Sequence, residues 1–282
     1  MKRIKRLRIL GRLREPFDPV ITSSHNPKIQ QIRSLLARRQ ERQQAQSFVV
    51  EGVRLTEEAL HSGWQPQSVF FSDQLSGRGK TLLEGFASAG ADIEEITPQL
   101  MDALAETEAP QGILATFAMR DLPLPQPLDF VLILDNLRDP GNLGTLLRTA
   151  CAAGLQAVLL SPGTTDVFSP KVLRAGMGAQ FKLPVLALPW DKIEEVCRTN
   201  SNPPLKIFLA EGRQGQGTAC WELDLRQPLA LIIGNEAQGA GDQARQLTDG
   251  LVRIPMPGGS ESLNAAVAGS ILIFEIVRQR YA

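Results

Sequence analysis

The sequence predicts an α/β protein in which a mostly parallel sheet with helices on both faces follows a smaller α/β domain. Three observations support this. Six short apolar runs beyond residue 129 alternate for the most part with stretches of helical spacing, as strands joined by crossover helices do. Asp121 to Asp129 carries three prolines in nine residues, which favours an extended, stiff connector. The residues ahead of that connector mix helical and strand-like spacing in a stretch long enough for a small domain. The expected division is a basic arm at 1–18, a small domain at 19–120, a linker at 121–128 and a larger domain at 129–282.

Taken in order, Ser24 to Arg42 and Arg54 to Ser62 have helical spacing, with Phe48 to Val50 between them as a strand and Ser68 to Phe71 as another. Ser76-Gly-Arg-Gly-Lys-Thr81 ends like a phosphate-binding loop. The motif's first glycine would fall on Gln74, and no long buried strand leads in, so a basic surface turn is expected. In the larger domain the strand candidates are Phe130–Leu134, Ala157–Leu160, Leu183–Leu186, Ile207–Ala210, Leu229–Ile233 and Leu251–Ile254. Gly212, Gly215 and Gly217 lack dinucleotide-fingerprint spacing and suggest a flexible loop. The last helix is apolar on almost every side, from Ala265 through Ile271 and Phe274 to Val277, more than one core face can use.

Composition narrows the chemistry. A chain of 282 residues with 43% hydrophobic and 21% charged residues can bury two ordinary cores, which argues against extensive disorder. Positive charge is concentrated at one end: residues 1 to 54 hold 13 Lys and Arg against four Asp and Glu, leaving 17 against 26 for the rest. Phosphate binding depends on such local charge rather than on overall pI, so Arg33, Arg38, Arg39 and Arg42 are candidate nucleic-acid contacts. Three cysteines without a C-x-x-C pair suggest neither a disulfide framework nor a zinc site, and a reducing cytoplasm fits best. The two histidines, His25 and His61, both lie in the amino-terminal part, far from the polar strand ends, which discounts a serine hydrolase or a histidine-rich metal enzyme. The basic first residues lack the apolar core of a signal peptide, and no apolar run is long enough to span a membrane.

Three strand ends gather the polar residues. After Phe130–Leu134, Pro140-Gly141 has the residues of a type II turn, and Asn142 can cap a helix that Leu143, Leu146 and Leu147 begin to bury. Arg148, one and a half turns into that helix, can reach back toward an anion at the strand's carboxyl end, where open α/β sheets bind ligands. Leu229–Ile233 runs into Gly234-Asn235-Glu236. Val252 to Ile254 runs into Pro255, Met256, a glycine turn and Ser262-Leu263-Asn264 at the start of the last helix.

These segments resemble the three signature motifs of the SpoU/TrmH branch of the SPOUT RNA methyltransferases. The N-x-G-x-x-x-R motif matches Asn142 to Arg148, the G-N-E loop matches Gly234 to Glu236, and the I-P-M…S-L-N stretch matches Ile254 to Asn264. Residues 21 to 118, with Ser47-Phe-Val-Val-Glu-Gly52 and Pro110-Gln-Gly-Ile-Leu-Ala115, look like the substrate-binding domain of many members. Two positions depart from the pattern: Ala237 where glycine is common and Gly176 where serine is common.

The resemblance implies a carboxyl-terminal trefoil knot, a homodimer and methyl transfer from S-adenosylmethionine to a ribose 2′-hydroxyl of structured RNA, either rRNA or tRNA, without a metal. It assigns Arg148, Asn142, Glu236, Ser262 and Asn264 to catalysis. The resemblance casts Arg148 as a general base; because guanidinium stays protonated in nearly all proteins, the preferred reading is a fixed positive charge, with Glu236 paired to it to set its direction, and both roles stay open. Gly234, Ile254 and Leu263 would bind the cofactor, mostly through backbone, with Asn235, Pro255 and Met256 shaping the crevice. Two alternatives stay open: an RNA-binding protein that keeps the fold without turnover, and methylation of a base atom.

Overall fold

A computed structural model describes residues 20–199, 201–211 and 216–281 of the chain. The chain folds into two compact units. One runs to Arg120 and takes in Phe168–Pro170; the other comprises Asp121–Val167 and Lys171–Ala282. The basic arm at 1–18 and the glycines Gly212 and Gly215 lie outside the described residues.

The first unit contains α1 (Pro27–Ala37), α2 (Arg39–Ala45), β1 (Ser47–Glu51), α3 (Val53–His61), β2 (Pro66–Phe71), α4 (Gly77–Ser88), β3 (Asp92–Glu95), α5 (Pro98–Leu104) and β4 (Ile113–Ala118). Its sheet runs β1-β4-β2-β3, with β4 antiparallel to both neighbours and β2 parallel to β3. Ile29, Ile32 and Leu35 of α1 pack with Val49, Ile96, Met101 and Leu114 to form a core on this sheet.

Three expectations are corrected here. The single helix expected over Ser24 to Arg42 is two helices, because Arg38 is extended (φ −127°, ψ 126°) and the chain turns there. Arg42 is not on the exposed basic face. It is 4% exposed, and its guanidinium donates to the Leu35 and Leu36 carbonyls at 2.5 and 3.1 Å, closing the carboxyl end of α1. Arg33, Arg38 and Arg39 are exposed. The stretch from Ser76 to Thr81 opens α4 instead of forming a turn, because the Ser76 hydroxyl accepts from Gly79 N at 3.2 Å as an N-cap.

The second unit contains β5 (Phe130–Leu134), α6 (Pro140–Ala152), β6 (Ala157–Leu160), α7 (Pro170–Gly176), β7 (Val185–Ala187), α8 (Trp190–Glu194), β8 (Lys206–Ala210), β9 (Thr218–Ala219), β10 (Leu229–Ile233), α9 (Asp242–Leu247), β11 (Gly250–Arg253) and α10 (Ala265–Tyr281). The sheet order is β7-β6-β5-β10-β8-β11-β9, and every pairing is parallel.

Successive residues of a strand point to opposite faces, so β5 and β10 each feed two cores. Leu132, Leu134, Leu231 and Ile233 join Leu146 and Leu147 of α6 and Ile273 of α10 on one face. Val131, Ile133, Ala230 and Ile232 join Ile193 of α8 and Ala244 of α9 on the other. Burial on both faces explains the unbroken apolar runs. β7 begins two residues later than the sequence suggested, because Pro184 has no N–H to give a ladder, although its carbonyl accepts from Val158 N at 2.9 Å.

From β5 the chain winds outward through β6 to β7, then crosses to build β8 and β10 on the other side of β5. Strand order therefore reverses at β5, and the loops after β5 and β10 flank the switch point, where such sheets form a crevice. α10 packs against α6 at close range. A Cβ on Gly269 would lie 2.5 Å from Leu146 Cδ2, and the Thr149 and Ser270 hydroxyls are 3.0 Å apart. Ala266, Gly269, Leu272, Ile273 and Ile276 form the buried face of α10, whereas Val267, Ile271 and Phe274 are 48, 41 and 50% exposed. No helix among the described residues is long and apolar enough to cross a membrane.

Candidate active site

The carboxyl edge of the sheet holds a crevice of about 610 Å³, within the usual range for small-molecule sites. Its floor is the loop after β10, from Gly234 to Ala240, and its walls include Ile254, Met256, Ser262, Leu263 and Leu272. The loop is a tight hairpin: Asn235 N and Gly239 N each donate to the other residue's carbonyl, at 3.0 and 2.9 Å. Gly234 permits this fold, since a Cβ there would lie 2.5 Å from Ala240 N. The Asn235 side chain accepts from Ala237 N and Gln238 N at 2.9 and 3.0 Å and donates to the Asn136 carbonyl at 2.7 Å, tying this loop to the one after β5.

Asp139 caps α6, accepting from Asn142 N at 2.7 Å, and Pro140 takes the first helical turn, where its fixed φ fits and its missing N–H costs nothing. This corrects the expected type II turn with Asn142 as cap. The Asn142 side chain is instead free to bridge two other segments. Its Nδ2 donates to Glu236 Oε1 at 3.1 Å, and its Oδ1 accepts from Asn264 Nδ2 at 2.9 Å. Asn264 in turn caps α10, its Oδ1 accepting from Ala266 N and Val267 N at 2.9 and 3.2 Å. One residue from each of the three motifs is thus linked by hydrogen bonds.

Glu236 also accepts from Asp139 N at 3.0 Å and Arg138 N at 3.3 Å. Desolvation works against its charge. The Asn142 amide and these backbone N–H groups outweigh it and hold the carboxyl below its ordinary range. The expected pairing of Glu236 with Arg148 is not formed: the carboxylate's contacts are filled by Asn142 and by backbone donors of the loop after β5. Arg148 is exposed and makes no hydrogen bond or ion pair among the described residues.

Within the motif, Gly144 serves packing, since a Cβ there would lie 2.4 Å from Ala175 Cβ and 2.7 Å from Gly176 N. Gly234, Asn235, Ile254, Met256 and Leu263 all line the crevice, but Pro255 does not. Ser262 is exposed at its rim. Glu211 and Glu261 line it too; Glu211 accepts from the Arg245 guanidinium, which also lines the crevice, at 2.9 Å, so Glu236 and Glu261 are the carboxylates that could meet a cationic ligand. Sequence reasoning did not find Asp139, Glu211 or Ala268, whose types carry no motif signal by themselves.

A family model described as the SpoU rRNA methylase family matches residues 129–274, and one described as the MRM3-like substrate binding domain matches residues 26–115. The 23S rRNA (guanosine(2553)-2′-O)-methyltransferase RlmP of Bacillus subtilis is 34% identical over 262 residues, covering 91% of this chain and 98% of its own. The mitochondrial rRNA methyltransferase 3 of Mus musculus is 32% identical, covering 89% and 72%. Among solved structures, the SpoU methyltransferase AviRb from Streptomyces viridochromogenes, in complex with AdoMet, aligns with a TM-score of 0.84 at 30% identity, covering 91% of this chain and 99% of its own. An AdoMet-bound rRNA methyltransferase from Sinorhizobium meliloti aligns with a TM-score of 0.82 at 29% identity, covering 92% and 97%.

Sheet, crevice and matches together define an RNA methyltransferase. The chain belongs to the SpoU rRNA methylase family.

Proposed function

We propose that this protein transfers a methyl group from S-adenosylmethionine to a ribose 2′-hydroxyl of ribosomal RNA. The observation that carries the proposal is the hydrogen-bonded series Glu236–Asn142–Asn264 beside a crevice lined by residues of the second and third motifs. The residues present fit the cofactor. Backbone groups of Gly234, Ile254 and Leu263 would hold the adenine edge, apolar side chains would enclose the molecule, and the carboxylates of Glu236 and Glu261 would face its positive charge. When bound, it supplies a methyl group on a sulfonium that is its own leaving group, so the proposal includes no metal.

A neutral ribose hydroxyl is a poor nucleophile, so the protein must favour the developing alkoxide. We assign this task to Arg148. Its guanidinium stays protonated, is unpaired among the described residues, and presents a planar fork that suits a phosphate and an adjacent alkoxide. Asn142 and Asn264 lock each other's amides and so orient the ribose, and Ser262 bonds to the hydroxyl or to water. Exposed Arg33, Arg38 and Arg39 contribute RNA contacts on the first unit, residues 19–120.

The same reading includes a trefoil knot in the carboxyl-terminal segment, a cytoplasmic location and a homodimer. The dimer is supported by Val267, Ile271 and Phe274, which line one exposed apolar face of α10. Phe274→Glu should give folded monomers by light scattering. Monomeric unsubstituted protein would refute the dimer.

The activity is tested by incubating ribosomal RNA with methyl-labelled S-adenosylmethionine and digesting the product to nucleosides. Label in 2′-O-methyl nucleosides is expected. Base-methylated nucleosides or no label would replace the proposal with base methylation or with binding alone.

A further inference from the structure

Asp135, the residue after β5, is 4% exposed, and a buried carboxylate is costly unless its oxygens are satisfied. Both are. Oδ1 accepts from the Ser161 hydroxyl at 2.9 Å, at the end of β6, and Oδ2 accepts from Gly241 N at 2.7 Å, just past the crevice loop. The Ser161 hydroxyl itself accepts from Asn136 N at 2.9 Å. No cation contacts this carboxylate among the described residues, so its bonds all go to the elements that build the switch point.

The consequence is mechanical. The loop from Gly234 to Ala240 forms the floor of the crevice and carries Glu236. It is held at its entrance by Asn235 on the Asn136 carbonyl and at its exit by Gly241 on Asp135. Asn136 sits in the left-handed region at φ 51°, a conformation that costs energy and persists only where neighbours impose it. Ser161, through Asn136 N and Asp135, braces both holds. Removing the Asp135 carboxylate would free the exit of the loop while leaving Asn142, Arg148 and Asn264 in place.

We propose that Asp135, with Ser161, is a positioning residue for the cofactor, fixing the crevice floor through Gly241. This rests on the cofactor assignment above. The role is geometric rather than electrostatic, so an amide should replace the carboxylate. In Asp135→Asn the new oxygen can accept from Gly241 N while the new NH₂ donates to the Ser161 hydroxyl, whose own proton can turn to the Pro162 carbonyl, 3.4 Å away.

The test measures S-adenosylhomocysteine binding by calorimetry on the full chain, with S-adenosylmethionine kinetics and hydrogen exchange alongside. Asp135→Ala should weaken binding by at least about tenfold, the scale of losing a hydrogen bond to a charged group. Ser161→Ala should weaken it by about threefold or more, and Asp135→Asn should stay within about threefold. KM for the cofactor should rise with kcat at saturation little changed, and exchange should quicken at 234–241. A merely structural residue would lower the melting temperature without this split. If the unsubstituted protein does not bind, the cofactor assignment fails and this proposal with it. If it binds and Asp135→Ala binds equally well, the positioning role alone is overturned. Should Asp135→Ala not fold, unchanged affinity in Ser161→Ala overturns it.

Discussion

Asn264 donates a 2.9 Å hydrogen bond to Asn142 across 122 positions of the chain, and the same side chain caps α10 through its oxygen. Each half of the amide has a separate task. The oxygen secures the last helix, and the nitrogen joins the third motif to the first.

That division can be separated experimentally. Asn264→Ala should lose about 1 kcal/mol of stability with the cap, together with turnover. Asn264→Ser keeps a capping oxygen on a shorter arm, so stability should largely return while turnover stays low. Denaturant midpoints and single-turnover methylation, measured on both variants, check this. Restored turnover in the serine variant would show that the Asn142 contact is dispensable.

Arg148→Ala should lower turnover by about a hundredfold or more, the usual effect of removing one electrostatic contributor to a transition state. Since Arg148 has no partner among the described residues, stability should stay within about 0.5 kcal/mol. Arg148→Lys should also fail, because a point charge does not reproduce the planar fork. Steady-state kinetics and thermal melts give the two readouts.

Glu236 gives a pH signature. Its folded-state pKa is depressed below the unfolded value, so the stabilisation it provides is full above the ordinary carboxylate range and is lost as pH falls through the depressed value. Urea midpoints of the unsubstituted protein should therefore exceed those of Glu236→Gln at pH 7. The difference should shrink toward about pH 3.5, below the ordinary glutamate range. A pH-independent difference would show that the carboxylate's charge is not what holds the loop.

Arg42 and Arg33 test the corrected basic face. Arg42→Ala should cost about 1–3 kcal/mol by leaving the Leu35 and Leu36 carbonyls without their donor, and should leave the salt dependence of RNA binding unchanged. Arg33→Ala should do the reverse. Filter binding across a salt series distinguishes them.

What the sequence disclosed follows the strength of each physical signal. β5, β6 and β10 are legible to the residue because burial on both faces leaves unbroken apolar runs. β3, with three acidic residues in four, and β9, with two residues, carry no such run. The break at Arg38 has neither glycine nor proline to announce it. At the site, the motifs name Asn142, Glu236 and Asn264, but opposite charge points to Arg148 as the partner of Glu236 and that pair does not form. Backbone N–H groups at 138 and 139, invisible in a side-chain pattern, compete successfully for the same oxygens.

Gly176 stands where serine is common, and the packing around it predicts what the difference costs. Gln180 is 2% exposed. Its Nε2 donates to the Val167 carbonyl at 3.1 Å, but its Oε1 is buried without a hydrogen-bond partner among the described residues. A Cβ on Gly176 would lie 2.9 Å from that oxygen, the tip of a side chain that can yield slightly. In Gly176→Ser the hydroxyl would arrive beside the orphaned acceptor and donate to it. The gain should be about 1 kcal/mol, with a further contribution from replacing glycine in the last turn of α7. Gly176→Ala, which adds the same crowding without a donor, should gain less or lose. Denaturant midpoints ranked serine, then glycine, with alanine below serine, would confirm that the acceptor is unsatisfied in this chain. Equal midpoints for the serine and alanine variants would refute it.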